Sequence, residues 1–199
     1  VSGRSPAAGA AGDNPLRHLP NLISLLRIAL VAPLVVTILL GRYEFALVIA
    51  VVAGVSDGVD GWLARRFRWQ SKLGSILDPA ADKLMLVGCI VALGWLGEAP
   101  RWMVALVVAR DAVIALGVLA WHRVLRSFQA HPSWLSKATT VAQIGFVLLV
   151  LAAQAFGWRV PMAIPVWIVA ILTAASGIDY VVRWGLLARR ELKGRGTST

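Results

Sequence analysis

Asp57-Gly58-Val59-Asp60-Gly61-Trp62-Leu63-Ala64-Arg65, followed after eight intervening residues by Gly74 and then by Asp78 and Asp82, is the stretch on which the reading of this chain turns. Four of the ten acidic residues fall in it, yet the flanking sequence is strongly apolar. An aspartate at the centre of a bilayer costs at least ~2.5–3.5 kcal/mol, so such groups need partners and mark function. The spacings i, i+3 and i, i+4 put each pair on one face of a helix. The two helices run in opposite senses on either side of the break at 67–72. At ~1.5 Å per residue, all four carboxylates then lie roughly 8–14 Å below one surface. Four anions at one depth repel, so something positive must bind among them. Hard divalent cations with oxygen ligands fit best. Arg65, Lys83 and Arg110 are the nearby cations expected to offset part of the charge. An ion-pair cluster serving helix packing alone would want a more even count of charges at that level. Gly54, Gly58, Gly61 and Ala64 give the second helix a small-residue surface. Taken alone, that pattern favours close helix packing. Beside a metal cluster it also lets a bulky phosphorylated group approach the backbone.

The rest of the sequence sets the surroundings. The chain has 199 residues, 58% hydrophobic and only 15% charged, with a mean hydropathy of +0.74. These values predict an all-α, polytopic membrane protein. Six apolar spans, at 20–41, 44–66, 73–96, 101–122, 137–156 and 163–187, each approach the ~20 residues that a transmembrane helix needs. Residues 1–14, rich in Ala and Gly, read as a disordered tail, 15–190 as the six-helix domain and 191–199 as a basic tail. Cys89 has no second cysteine to pair with. The net charge of +10 is distributed between apolar spans and forms no continuous stripe, which excludes nucleic acid as the expected partner. Six spans place both termini on one side. Thirteen Lys and Arg then lie on that side, in the termini and alternate connections, against three on the other. By the positive-inside rule the termini are cytoplasmic, or on the matrix side in an organelle. The carboxylates therefore fall in the cytoplasmic leaflet of an inner, plasma or organelle membrane. A cation or proton transporter is the rival from another class. It predicts carboxylates near the midplane and a two-halved architecture, and no internal repeat is present here. The three histidines show no ligand spacing, and the nine tryptophans read as interfacial belts and packing.

Two divalent ions can clamp a phosphoryl group for in-line displacement. A site open to both water and lipid suits a substrate that is half nucleotide and half lipid. The pattern D-x2-D-G-x2-A-R-x8-G-x3-D-x3-D, with all eight fixed positions filled, resembles the signature of the CDP-alcohol phosphatidyltransferases. The resemblance extends from about Leu19 to Arg190, because that family also has six transmembrane helices. It implies that Asp57, Asp60 and Asp78 ligate metal, Mg²⁺ or Mn²⁺ and two ions, with Asp82 close to them. It further implies that Asp82 is the general base for attack of an acceptor hydroxyl on CDP-diacylglycerol, with release of CMP. Gly61, Arg65 and Ser71 match positions that hold the CDP moiety, with Ala64 and Gly74 as the small signature positions beside them. Pro20 and Asn21 resemble the family's opening segment near the nucleotide. A homodimer is the assembly that the resemblance implies.

The acceptor is the finer question. Leu19-Pro20-Asn21-Leu-Ile-Ser-Leu-Leu-Arg27 and Leu77-Asp78-Pro79-Ala-Ala-Asp82-Lys83 resemble the branch of phosphatidylglycerophosphate and cardiolipin synthases. In the former, the fourth helix tends to carry Arg-Glu and a further Arg eight residues after the first. Here Arg110-Asp111 stands with Val118 at that place. The pair, the segment Ser136-Lys137 to Gln143 and the run Thr173 to Ser176 resemble CDP-diacylglycerol-dependent cardiolipin synthases. One cationic donor fewer suits a phosphodiester monoanion better than a phosphate monoester. The expected acceptor is therefore phosphatidylglycerol, giving cardiolipin, with glycerol 3-phosphate as the alternative. Arg110 and Lys137 are candidates to bind the acceptor's phosphate in either case. Arg110 with Asp111 also reads as a self-satisfied intramembrane pair.

Overall fold

The computed structural model describes the backbone of residues 19–67, 74–124 and 133–196, and the side chains of 25–59, 66, 81–118 and 133–185. Six helices follow in order: α1 Leu19–Leu39, α2 Tyr43–Phe67, α3 Gly74–Trp95, α4 Arg101–Val124, α5 Trp134–Phe156 and α6 Ala163–Gly196. There is no strand among the described residues, so the fold is all-α as expected. The helices follow the six apolar spans and differ from them mainly at two ends. Helix α5 starts at Trp134, three residues earlier than the apolar pattern, because Ser133 caps it. The Ser133 hydroxyl accepts the Ser136 N–H at 3.2 Å, which satisfies a donor of the first turn. Helix α6 continues through 191–196, drawn from the sequence as the start of a tail. Leu, Arg, Glu and Lys there are good helix formers whatever their hydropathy. The expected tail at 1–14 lies outside the described residues.

By length and composition, Trp134–Phe156 and Ala163–Gly185 would each cross a bilayer. In α2 the same apolar character is interrupted by Asp57, Asp60, Arg65 and Arg66. Each helix nonetheless presents large apolar side chains outward. Leu26, Val48, Leu84, Leu116, Val141 and Ile171, one per helix in chain order, are all more than half exposed. So much outward apolar surface is foreign to a soluble monomer.

At the end of the bundle remote from the 67–74 break, the connections are short. Gly97 and Gly157 close two of them at φ 84° and 67°, values that a side chain would strain. Gly157 is also the C-cap of α5, in the left-handed conformation usual at such positions. Helix α1 packs on α2 and α3, α2 on α5, and α6 on both α4 and α5; α3 also touches α4 and α5. The core between them is dry in this half, built from Leu34, Ile38, Ile90, Leu93, Met103, Val150 and Leu151. Gly94 lets α4 in close, since a Cβ there would stand 2.6 Å from Val104 Cγ2. The half nearer the break differs. Arg27, Arg110, Thr139, Gln143, Thr173 and Ser176 are buried there. Thr139 donates to the Leu172 carbonyl at 3.0 Å and Gln143 to Thr173 at 3.3 Å, forming a polar seam between α5 and α6.

Candidate active site

Asp57 and Asp82, assigned to one cluster by spacing alone, are brought together. Their Oδ1 atoms lie 2.7 Å from the same atom, Nη1 of Arg27. Arg27 reaches them from α1 and is 2% exposed, while each carboxylate side chain is 46% exposed. One guanidinium is thus shared by two carboxylates whose other sides open outward. Among the described residues these three groups sum to a negative charge, and the carboxylates offer hard oxygens. Both properties suit a divalent cation such as Mg²⁺ or Mn²⁺. Asp60 and Asp78 lie in α2 and α3, but their side chains fall outside the described residues, as do those of Pro20, Asn21, Ala64, Arg65 and Ser71. Gly61 and Gly74 are described only as backbone of α2 and the first residue of α3. Among the described residues no three His, Cys, Asp or Glu groups converge as ligands.

The counter-charge is the main correction to the sequence reading. Of the cations expected to offset the aspartates, Lys83 and Arg110 are engaged elsewhere. Lys83 Nζ lies 2.8 and 2.9 Å from the two oxygens of Asp111, and Arg110 Nη1 lies 2.6 Å from Oδ1. Arg110 Nη2 also donates to Ser136 at 2.7 Å and to Ser176 at 2.6 Å. This second cluster reverses the first: two cations share one carboxylate, and Asp111 is 12% exposed. Its carboxylate is nearly enclosed, and the three groups carry a residual positive charge. The self-satisfied pair foreseen for Arg110 and Asp111 is present, with Lys83 as an additional member. Lys137, next to Ser136, is exposed and lies over the Trp134 ring, 5.1 Å from its centre.

Arg27 is the residue of this cluster that sequence reasoning did not name as a partner of the aspartates. A signal existed: it lies eight residues into α1, about 12 Å deep, which is the level deduced for the aspartates.

A cleft of about 560 Å³ opens from Asp57, Asp82 and Lys83 between α2, α3 and α5. Apart from those residues and Thr140 it is walled by apolar side chains and Gly54. It follows α2 back to Ala50 and α3 on to Cys89, roughly 10 Å along each helix. Gly54 lines this cleft, and a Cβ added at Gly54 or Gly58 would meet nothing within 4 Å among the described residues.

The arrangement joins a carboxylate pair, suited to cation binding and proton abstraction, to an apolar cleft of ligand-binding size. Comparisons with known proteins agree with it. Residues 17–178 match the family model of CDP-alcohol phosphatidyltransferase. A Streptomyces coelicolor protein named cardiolipin synthase (CMP-forming) is 34% identical over 193 residues, covering 87% of this chain and 86% of its own. A Rattus norvegicus protein of the same name is 30% identical over 207 residues, covering 95% and 68%. A Mycobacterium tuberculosis protein named probable phosphatidylglycerophosphate synthase is 29% identical over 203 residues, covering 98% and 92%. With most of its length matched and with Asp57 and Asp82 at one cleft, this chain belongs to the CDP-alcohol phosphatidyltransferase family and is an enzyme of that type.

Proposed function

We propose that this enzyme transfers the phosphatidyl group of CDP-diacylglycerol to phosphatidylglycerol, forming cardiolipin and releasing CMP. The observation that carries the reading is the carboxylate pair Asp57 and Asp82 at the mouth of the apolar cleft. Gly61, Arg65 and Ser71 hold the nucleotide and diphosphate, with Pro20 and Asn21 also contributing. An acyl chain of the donor runs down the cleft between α2, α3 and α5. Asp82 takes the proton of the acceptor hydroxyl as its oxygen attacks the β-phosphorus. The bond from that phosphorus to the bridging oxygen breaks, and CMP leaves with the electron pair. Asp57, Asp60 and Asp78 hold two divalent ions, Mg²⁺ or Mn²⁺, which when bound polarise the phosphoryl oxygens and acidify the attacking hydroxyl.

The acceptor's phosphate is drawn toward the positive cluster of Lys83 and Arg110, with Lys137 nearby. A second apolar groove of about 410 Å³, between α4 and α6, has Arg110 in its wall. Two grooves suit two lipid substrates, whereas glycerol 3-phosphate needs only one, and this favours phosphatidylglycerol. The six helices span the membrane, with both termini on the cytoplasmic or matrix side and the site in that leaflet. The protein works as a homodimer.

Purified protein given CDP-diacylglycerol and Mg²⁺ or Mn²⁺ is offered phosphatidylglycerol or glycerol 3-phosphate separately, and CMP release is followed. Cardiolipin and CMP are expected only with phosphatidylglycerol, and EDTA is expected to stop both. Turnover with glycerol 3-phosphate alone would replace this reading with phosphatidylglycerophosphate synthesis. Turnover undiminished in EDTA would remove the metals.

A further inference from the structure

The position of Arg27 has a meaning beyond helix packing. Its side chain is 2% exposed, and a guanidinium so deeply withdrawn from solvent is tolerated only beside anions. Nη1 lies 2.7 Å from Oδ1 of Asp57 on α2 and 2.7 Å from Oδ1 of Asp82 on α3. One is assigned to metal and the other to the proton. We infer that Arg27 is the resident counter-cation of the carboxylate site, a positioning residue that orients Asp82 and holds down the site's affinity for divalent ions. The inference rests on the metal-dependent reading above.

The electrostatic argument fixes the sign. The Arg27 guanidinium carries one positive charge, which offsets one of the two carboxylates it touches. A divalent ion that takes the Asp57 oxygen competes with the guanidinium for it and meets a positive charge nearby. Removing that charge should tighten ion binding. The orientation argument runs the other way for turnover. The hydrogen bond from Nη1 fixes one oxygen of Asp82 and thereby the plane of the carboxylate. Without it, the base loses its alignment toward the acceptor hydroxyl. A helix-to-helix strut with no chemical role would move neither quantity in this split way. It would lower stability and leave metal affinity unchanged, or weaken it as the site loosened.

The test uses the full chain in detergent micelles, titrated with Mn²⁺ while electron paramagnetic resonance counts the free ion. Circular dichroism checks that each variant is folded. Arg27→Gln keeps a hydrogen-bond donor and removes the charge. It should bind Mn²⁺ roughly tenfold more tightly, one decade being about 1.4 kcal/mol. CMP release at saturating Mn²⁺ should fall roughly ten- to hundredfold, as for a misaligned catalytic group. Arg27→Lys keeps the charge without the planar fork, so its Mn²⁺ affinity should stay within about twofold of wild type while turnover still falls. Folded Arg27→Gln that binds Mn²⁺ no more tightly than wild type overturns the inference. If Arg27→Gln does not fold, a large change of Mn²⁺ affinity in Arg27→Lys overturns it instead. Wild-type protein that binds no Mn²⁺ would instead sink the metal reading, and the role of Arg27 with it.

Discussion

Two ion clusters meet on consecutive residues of α3, and they are opposites. Around Asp82, one cation faces two carboxylates that remain 46% exposed at the mouth of a cleft. Around Lys83, two cations face one carboxylate that is 12% exposed, and two serine hydroxyls accept hydrogen bonds from Arg110 Nη2. Among the described residues the first arrangement has more negative than positive charge and lies open, while the second has a surplus of positive charge around a nearly enclosed carboxylate. Where charge is left uncompensated beside an opening, a ligand can complete it. Where the partners are already in place, the same residue types serve structure first.

The comparison can be broken most decisively at Asp82. Asp82→Asn should lower turnover by ~10²–10⁴-fold, the usual contribution of a positioned base, while the protein stays folded. Single-turnover CMP release on the folded variant measures it, and near-wild-type rates would take the base role from Asp82. On the closed side the larger effect should be on stability. Asp111→Ala leaves buried Arg110 and half-buried Lys83 without their anion, at a cost of about 3 kcal/mol, toward the low end for a buried pair because Lys83 reaches solvent. Denaturation in mixed micelles would show this, and an unchanged midpoint would mean that the cluster is not the structural element described here.

Two glycine substitutions sharpen the contrast between open and packed regions. Gly94→Ala drives a methyl group against Val104 and should cost about 1–3 kcal/mol. Gly54→Ala enters empty space beside the cleft and replaces a poor helix former, so it should be neutral or stabilise by up to about 1 kcal/mol. If Gly54→Ala proved the more damaging of the two in the same assay, Gly54 would be a packing residue after all.

Much of this was legible in the sequence because it is local. The i, i+3 and i, i+4 aspartates, the Gly-x2-Ala-Arg run and the six apolar spans depend only on helical period and segment length. What was hidden depends on azimuth and on long-range pairing. Lys83 is one residue past Asp82, so it looks like a neighbour in sequence. A helix turns ~100° per residue, and Lys83 meets Asp111 on α4 while Asp82 meets Arg27 on α1. Arg27 itself finds its partner 55 residues away, a separation that periodicity does not encode. Gly54 and Gly58 show a different ambiguity. Small residues at these spacings mean either close contact or preserved space, and only the neighbouring helices decide which.

The tight contacts of α3 carry a consequence for how the enzyme can change. Gly88 brings α3 against Val35 of α1, where a Cβ would stand 3.1 Å from Cγ2, and Gly94 brings it against Val104 of α4. These contacts clock the helix. Because Asp82 and Lys83 ride on the same shaft, a few degrees of rotation would carry both clusters out of register at once. The two ion clusters are geared together, so a substitution that loosens Gly88 or Gly94 should disturb both in one step, and neither can be retuned through α3 alone.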